Sequence, residues 1–578
     1  SKSDLGMLPS EKTWEHIQSE SDTTLKSRCP YYSKCFFYNA RRRAATADIL
    51  VANHHLLFAD LAVRSVTGEL SEIAVLPKYE RVILDEAHNL EDVASRYFGV
   101  RTSYHGILRI LNRLYRQKDG KQLGYLSFMK ARLQYNAGMI PLNVVDELME
   151  KAEMQAIPAV EKIKGLLQET TDRIYNWVNL NQNSSYEEIK LRLSPKVYQN
   201  PAWQEALQDL PLLLKEMHTL SDLLYKMSKL LDRIPGNFEK EARSLAVDLK
   251  AQAERLLASA NSMDEVLLQK DEATIRWLEA REGRFGHILR FCTSPLDIGP
   301  IMKQAIFDKF PTVVMTSATL SVAKSFEFFA TRTGLNTVKD GNRKSEIILS
   351  SPFDYPNQVI LGIPTDMPEP NKPGYEEQLS RVLYQAISAS AGRAFVLFTS
   401  YYLLRKMHKE LEPLLEAQGI SLLKQGDKNR HVLLNQFKQD VSSVLFGTDS
   451  FWEGVDVQGE SLIHVIIPRL PFKVPSEPVI EARVEAIERQ GGNSFLEYTV
   501  PQAVIKFKQG FGRLIRTKRD YGAISILDRR VISKSYGQMF LSSLPDCQVV
   551  VGESQEVFQQ VASFLRTHKF ASNPAWER

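Results

Sequence analysis

Cysteine is scarce in this chain: Cys29, Cys35, Cys292 and Cys547 are the four among 578 residues. So few thiols, with no hydrophobic leader at the start, argue against a secreted disulfide scaffold and point to a reducing, cytoplasmic setting. Long hydrophobic runs are missing too, and none approaches the roughly 20 residues that cross a bilayer. Glycine and proline number 29 and 26, which excludes collagen-like and low-complexity chains. A surplus of one charge sign is also absent, since the formal net charge is +4, so a polyanion partner would have to meet a local basic patch. What is present is 43% hydrophobic and 25% charged residues, enough for real cores. At roughly 150 residues per domain the length corresponds to about four folding units.

Short apolar runs ending in a small or acidic residue recur at wide intervals, as buried parallel strands do when their C-terminal ends carry function. Residues 81–85 form one such run, with residues 48–53 as an expected partner strand, and residues 312–316 form another. Residues 394–399, 444–448, 463–468 and 523–528 follow, separated by amphipathic stretches. The alternation predicts doubly wound α/β domains. Between about residues 96 and 285 the chain is instead rich in Leu, Lys, Glu, Gln and Met, and is expected to be helical. Leu213, Met217, Leu220, Leu224, Met227 and Leu231 step by four and three, Ile234-Pro235-Gly236-Asn237 interrupts, and Leu245, Leu249, Leu256 and Met263 resume the stripe. This predicts a helical hairpin, which in its plainest reading has no chemistry of its own.

Asp85-Glu86-Ala87-His88 closes a hydrophobic run. Two adjacent acids at a strand tip suit two jobs: one carboxylate holds hydrated magnesium, and the next orients or deprotonates water for in-line attack on a phosphoryl group. Alone, the tetrapeptide reads equally well as a strand end with Asp85 as a helix N-cap. Thr316-Ser317-Ala318-Thr319-Leu320 is a hydroxyl-rich turn able to bond the acid motif, or a capped helix start. Gln509-Gly510-Phe511-Gly512-Arg513-Leu514-Ile515-Arg516 is expected on one helix, its Gln509, Gly512, Arg513 and Arg516 on successive turns of one face, so that two guanidiniums reach one polyphosphate. Two glycines on a helix that faces nothing would be a poor choice. Residues 447–456 carry the hydroxyls, acids and glycines of a loop that meets phosphate and ribose, or of an ordinary βα loop. Arg41-Arg42-Arg43 beside Tyr31, Phe36, Phe37 and Tyr38 suits phosphates and base stacking, the other reading being a solvated helix face over buried rings. Lys506, Lys508, Lys518 and Arg519 form a second basic neighbourhood around Arg513. His54 and His55 have no third ligand at metal spacing, which leaves packing, and Asp528-Arg529-Arg530 is either a domain clamp or a structural salt bridge.

The ordered set of Asp-Glu-Ala-His, Thr-Ser-Ala-Thr, Phe398-Thr399-Ser400, Gly454-Val455-Asp456 and Gln-x-x-Gly-Arg-x-x-Arg resembles the superfamily 2 helicases. Asn53-His54-His55-Leu56-Leu57, Ser351-Pro352-Phe353, the helical insert and Trp452-Glu453-Gly454-Val455-Asp456 make it most similar to the XPD/DinG branch, and within it to bacterial DinG of the Gram-positive type, over nearly the whole chain. The resemblance implies an ATP-dependent DNA helicase moving 5′ to 3′ on single-stranded DNA and unwinding duplex with a 5′ overhang, with ATP and Mg2+ and no membrane. It implies an α/β fold of two RecA-like P-loop NTPase-type domains, the first incomplete, with a long helical arch-type insertion. The implied boundaries are 1–95 for the C-terminal part of the first domain, 96–285 for the insertion, 286–345 for the return to the first domain and 346–578 for the second. By the same resemblance Asp85 holds magnesium, Glu86 activates water, and His88 couples the site to Thr316, Ser317 and Thr319. Gln509, Arg513 and Arg516 serve catalysis from the second domain, with Gly454, Asp456 and Gly512 at the nucleotide. Asn53, His54, Thr399, Ser400, Thr448 and Trp452 meet DNA.

Two departures limit that transfer. The loop pattern Gly-x-x-x-x-Gly-Lys-Ser/Thr is absent: Gly120-Lys121 is followed by Gln122, and Lys324-Ser325 has no glycine before it. A triphosphate without that loop loses backbone N–H groups, a lysine and a metal-binding hydroxyl. The chain opens on Ser1 and the loop begins the first domain in the family, so an N-terminal truncation and little ATP hydrolysis by this fragment are expected. Relatives hold an iron–sulfur cluster through Cys-x4-Cys-x5-Cys and an upstream cysteine; Cys29 and Cys35 match the last two, but Thr24 stands at the first, within a degenerate region at about 20–40. Thiolates hold such clusters almost universally, so Cys29 and Cys35 are remnants of an incomplete site, packed with Tyr31, Tyr32, Phe36 and Phe37 in the plainer reading. Some relatives without the cluster carry an N-terminal exonuclease. The alternative function is accordingly a helicase-like single-strand-binding module regulating a 3′–5′ exonuclease.

Overall fold

Leu213, Met217, Leu220, Leu224, Met227 and Leu231 are all buried along one helix, Leu210–Asp232, in the computed structural model of the chain. The structure describes residues 31–67, 75–181, 188–283, 286–338, 344–452 and 459–571, together with 9, 10, 13, 14, 18, 20, 23, 29 and 457. Its contacts divide the chain into two units, Ser1–Tyr79 with Asp92–Asp297, and Glu80–Glu91 with Ile298–Arg578.

In the first unit the helix Leu210–Asp232 packs along Glu239–Leu267, which buries Leu245, Leu249, Leu256 and Met263 as the continuing stripe requires. Gly236 turns between them at φ +87°, a conformation without penalty only for glycine. The helix Ile157–Asn181 adds its own buried face to the same core. A four-stranded antiparallel sheet in the order Arg101–Ser103, Gly286–Pro295, Thr274–Gly283, Ile189–Arg192 and a two-stranded hairpin of Arg116–Lys118 and Lys121–Leu123 belong to the same unit. One sequence expectation changes here: the stretch 96–285 is not helical throughout, since Arg101–Ser103, Ile189–Arg192 and Thr274–Gly283 are strands within it. Gly286–Pro295 pairs with Thr274–Gly283 along its whole length, and that ladder keeps the two strands together.

The helix His54–Thr67 carries a buried ion pair, Arg64 Nε donating to Asp60 Oδ2 at 2.6 Å. Asp60 also accepts from the backbone N–H of Val75 and Leu76 and from the Tyr79 hydroxyl at 2.8 Å, which fixes the chain just before it leaves this unit. Residues 48–53 are not a strand: Ile49 and Val51 are 81% and 97% exposed. Apolar composition alone does not make a strand, and among the described residues no strand pairs with this segment.

The strands of the second unit are numbered β1 to β9 in chain order: Arg81–Asp85, Thr312–Thr316, Val359–Pro364, Ala394–Leu397, Leu422–Lys424, Val444–Gly447, His464–Ile467, Gly522–Ile526 and Gln548–Gly552. β1 and β2 pair in parallel, with Asp85 opposite Thr316. The other seven form one parallel sheet in the order β5-β6-β4-β7-β8-β3-β9. β4, β6, β7 and β8 are buried at every residue, because the sheet has a separate hydrophobic core on each face. This is the α/β architecture with a long helical insertion that the alternating runs imply. β3, β5 and β9 escape the sequence pattern: β5 has three residues, β3 ends in proline, and β9 lies at the sheet edge with Val549 and Val551 half exposed. Among the described residues no helix is long and apolar enough to cross a membrane.

Candidate active site

The tip of β1 places Asp85 beside the tip of β2, both Asp85 and Thr316 exposed. Glu86 follows in a left-handed conformation, φ +49°, uncommon for a residue with a Cβ and sustained only where its surroundings over-determine it. Those surroundings are visible. Ser317 Oγ donates to Glu86 Oε2 at 3.1 Å and lies 2.8 Å from His88 Nδ1, while the Thr319 N–H donates to the same Ser317 oxygen at 3.1 Å. Ser317 is therefore within hydrogen-bond distance of both the His88 ring and the Glu86 carboxylate. His88 is nearly buried, at 8% exposure, and Glu86 is exposed at 62%, so the acid meets solvent while its anchor does not. The structure thus brings together Asp85, Glu86, His88, Thr316, Ser317 and Thr319.

Asp85 is an exposed strand-tip carboxylate that could hold magnesium. Mg2+ keeps most of its waters and takes one or two carboxylates plus phosphate oxygens, and among the described residues there is no group of three or more His, Cys, Asp or Glu that could enclose a metal ion. An exposed strand-tip carboxylate beside an exposed threonine fits that coordination.

The helix Val500–Phe511 ends one residue before Gly512, which is its C-cap. The single helical face expected for residues 509–516 is therefore corrected: Gln509 is on the helix and buried, and Arg513 and Arg516 lie past its end. The Asp520 carboxylate accepts from the backbone N–H of Arg516 and Thr517, at 2.8 and 2.7 Å, and holds the chain in a turn. Arg513 Nε donates to the Trp452 carbonyl at 2.9 Å. Lys508, on the same helix, donates from Nζ to the Ser321 carbonyl at 2.9 Å, which joins this helix to the segment that follows Thr319. Burial pushes the Lys508 ammonium below its ordinary pKa.

The residues expected at DNA divide in two. Asn53 caps the helix His54–Thr67, its Oδ1 accepting from the Leu56 N–H at 2.8 Å, and is exposed; His54 is partly exposed. Thr399 and Ser400 are partly exposed at the end of β4, with Ser400 Oγ capping Tyr401–Glu416. Trp452 and Thr448 are corrected to interior residues. Trp452 is 0% exposed, its Nε1 donating to the Phe398 carbonyl at 3.0 Å, and Thr448, 3% exposed, donates to Gln425. A ring enclosed by β4 and the helix Val500–Phe511 has no face left for a base. Gly454 and Asp456 lie outside the described residues, as does Thr24.

Cys29 and Cys35 are free and partly exposed, and Cys35 is the N-cap of the helix Phe36–Ala45. The packed aromatic reading of this region is corrected: no residue of that helix is buried, and Tyr31, Phe36 and Phe37 are 73%, 92% and 46% exposed. Arg41 lies over Phe37 and Arg42 over Tyr32, at 5.6 and 5.5 Å. Asp528 and Arg530 form a two-pronged ion pair, and Asp528 also accepts from the Leu470 N–H. Sequence reasoning missed Glu91, whose Oε1 takes Arg332 at 2.7 Å and Arg483 at 2.6 Å. Its only signal was another acid shortly after Asp85-Glu86.

Comparison with known proteins follows the same lines. The Helicase C-terminal domain family model matches residues 383–547, and the DEAD_2 model matches residues 11–106. The chain is 34% identical over 537 residues to the ATP-dependent DNA helicase YoaA of Haemophilus influenzae, covering 92% of this chain and 71% of that protein. It is 29% identical over 559 residues to the 3'-5' exonuclease DinG of Bacillus subtilis, covering 95% of this chain and 57% of that protein. Among solved structures, S. tokodaii Xpd4 is similar at 15% identity and a TM-score of 0.45, over 85% of this chain and 80% of that one. The chain belongs to the family of ATP-dependent DNA helicases that includes YoaA and DinG.

Proposed function

We propose that the chain is a DNA helicase motor in which Asp85 and Glu86 meet ATP from one side and Arg513 and Arg516 from the other, cleft closure driving 5′ to 3′ movement along single-stranded DNA. Asp85 would hold Mg2+, which neutralises charge on the transferring phosphoryl group. Glu86 orients and deprotonates the attacking water, held for that task by Ser317. Arg513 and Arg516 stabilise the developing charge, a role worth about 10³ to 10⁵ in rate where it has been measured. Thr399 and Ser400 position the DNA backbone without reading its sequence. The observation that carries this reading is the bonded set Glu86–Ser317–His88 at the strand tip. Lys508, which ties the helix that leads into Arg513 and Arg516 to the chain after Thr319, supports it.

The test uses protein expressed from the whole gene. Glu86→Gln is expected to lower DNA-stimulated ATP hydrolysis at least a hundredfold while leaving single-strand affinity within twofold, and unwinding is expected on duplexes with a 5′ but not a 3′ overhang. Undiminished hydrolysis by Glu86→Gln would remove the chemical assignment, and unwinding from the 3′ overhang the polarity.

A second reading follows from the missing glycine-lysine loop. These 578 residues by themselves bind single strands with little ATP turnover, as a helicase-like module beside another activity such as an exonuclease would. Brisk DNA-stimulated hydrolysis by residues 1–578 alone would exclude it.

A further inference from the structure

Glu86 is strained, and a strained residue stays in place only if the chain on both sides is held. On its N-terminal side β1 is held by pairing with β2. On its C-terminal side the chain makes one tight turn, Ala87–Asn89, and starts the helix Leu90–Tyr97, with Ala87 and Leu90 fully buried. The second residue of that helix is Glu91. Its Oε1 accepts from Arg332 Nε and Nη2 at 3.0 and 2.7 Å and from Arg483 Nη1 at 2.6 Å. Glu91 is 12% exposed, Arg332 14% and Arg483 2%. Arg483 also donates to the Tyr498 hydroxyl at 3.2 Å, Arg332 lies over the Tyr498 ring at 4.9 Å, and Lys473 adds a further positive field. Arg332 comes from Glu327–Thr333 and Arg483 from Pro478–Arg489, so one carboxylate joins three helices far apart in sequence.

We infer that Glu91 is a positioning residue for the acid motif: by anchoring the short turn after Glu86 to Arg332 and Arg483, it holds the Glu86 carboxylate where water is to be activated. Asp85 and Glu86 do the chemistry and Glu91 touches neither nucleotide nor metal. The inference rests on the role proposed for Glu86. A buried ion pair is weak evidence of stability, since hydrophobic replacements often serve as well, so a merely structural role must be separated from this one.

The experiment compares Glu91→Gln, Arg483→Gln and the double variant in protein expressed from the whole gene, with Glu86→Gln alongside. Glu91→Gln takes the negative charge from between the Arg332 and Arg483 guanidiniums, so its Tm falls. DNA-stimulated kcat is expected to fall about tenfold with KM for ATP and single-strand affinity within twofold of the parent. The double variant removes one of the two positive charges together with the negative one, so Tm recovers in part while kcat stays low. If Glu91→Gln does not fold, Glu91→Asp replaces it, keeping the charge but shortening the reach, with the same expected loss of kcat. Recovery of kcat together with Tm in the double variant, unchanged kcat in the single variant, or a change confined to KM would each overturn the inference. If Glu86→Gln itself keeps full kcat, the reading of the acid motif fails first.

Discussion

Ser317 stands between His88 and Glu86, 2.8 Å from the imidazole nitrogen and 3.1 Å from the carboxylate oxygen it donates to. The two sides of the hydroxyl are not equivalent. One faces a nearly buried ring and the other an exposed acid, so the serine transmits the position of a fixed group to a solvated one.

Ser317→Ala is accordingly expected to slow DNA-stimulated ATP hydrolysis about fivefold, the rate equivalent of one net hydrogen bond of roughly 1 kcal/mol. The folded protein keeps its core, so Tm changes little. Steady-state hydrolysis with KM and kcat separated is the measurement, and kcat equal to that of the parent would show that the hydroxyl does not align Glu86.

The two glycines of Gln509-Gly510-Phe511-Gly512-Arg513 are expected to answer differently to the same change. A Cβ on Gly510 would stand 2.9 Å from the buried Trp452 ring and 3.2 Å from Leu397, whereas on Gly512 it would meet only the Lys508 carbonyl at 3.4 Å and more distant atoms. Gly510→Ala forces a side chain into a filled core and is expected to lower stability by about 1 to 3 kcal/mol. Gly512→Ala is expected within about 0.5 kcal/mol of the parent. Denaturant unfolding decides, and equal effects would show that Trp452 is not packed as described.

That contrast also shows where sequence reading stops. The stripe from Leu213 to Leu231 was readable because helical periodicity is local, and β4, β6, β7 and β8 because strands buried on both faces read as continuous apolar runs. The hairpin of Thr274–Gly283 and Gly286–Pro295 has no such local signal, since what decides it is the pairing of one strand with the other. In the site, the acid tip and the hydroxyl turn could be placed from their order along the chain. The burial of Trp452 could not, since a tryptophan beside a glycine-rich loop reads as well for stacking on a base as for filling a core. Glu91, Arg332 and Arg483 lie hundreds of residues apart with no repeating pattern, so only the fold brings them together.

Two carboxylates in different units should give stability opposite dependences on pH. The Glu91 carboxyl is drawn down from 4.5 to about 2: burial opposes ionisation, but Arg483 and Arg332 outweigh it. A depressed folded-state value means that the ionised form stabilises the fold above the unfolded-state value near 4.5, by about 3 kcal/mol, and that this is lost as pH falls toward about 2. The Asp248 carboxyl, in the first unit, is pushed up from 3.8 to about 6 by burial first and by the nearby Glu20 second, against the pull of Arg255. Here the folded state binds the proton more tightly than the unfolded one, so stability falls as pH rises from about 3.8 through about 6 and is level above. Asp248→Asn removes that loss and is expected to stabilise the first unit above pH 6 by about 1 kcal/mol after screening by solvent, with no gain at pH 3. Hydrogen exchange of the helix Glu239–Leu267, followed from pH 4 to pH 8 in parent and variant, measures this unit separately from the other. A gain from Asp248→Asn that does not change across that range would show that the side chain acts there through packing, with no contribution from its charge.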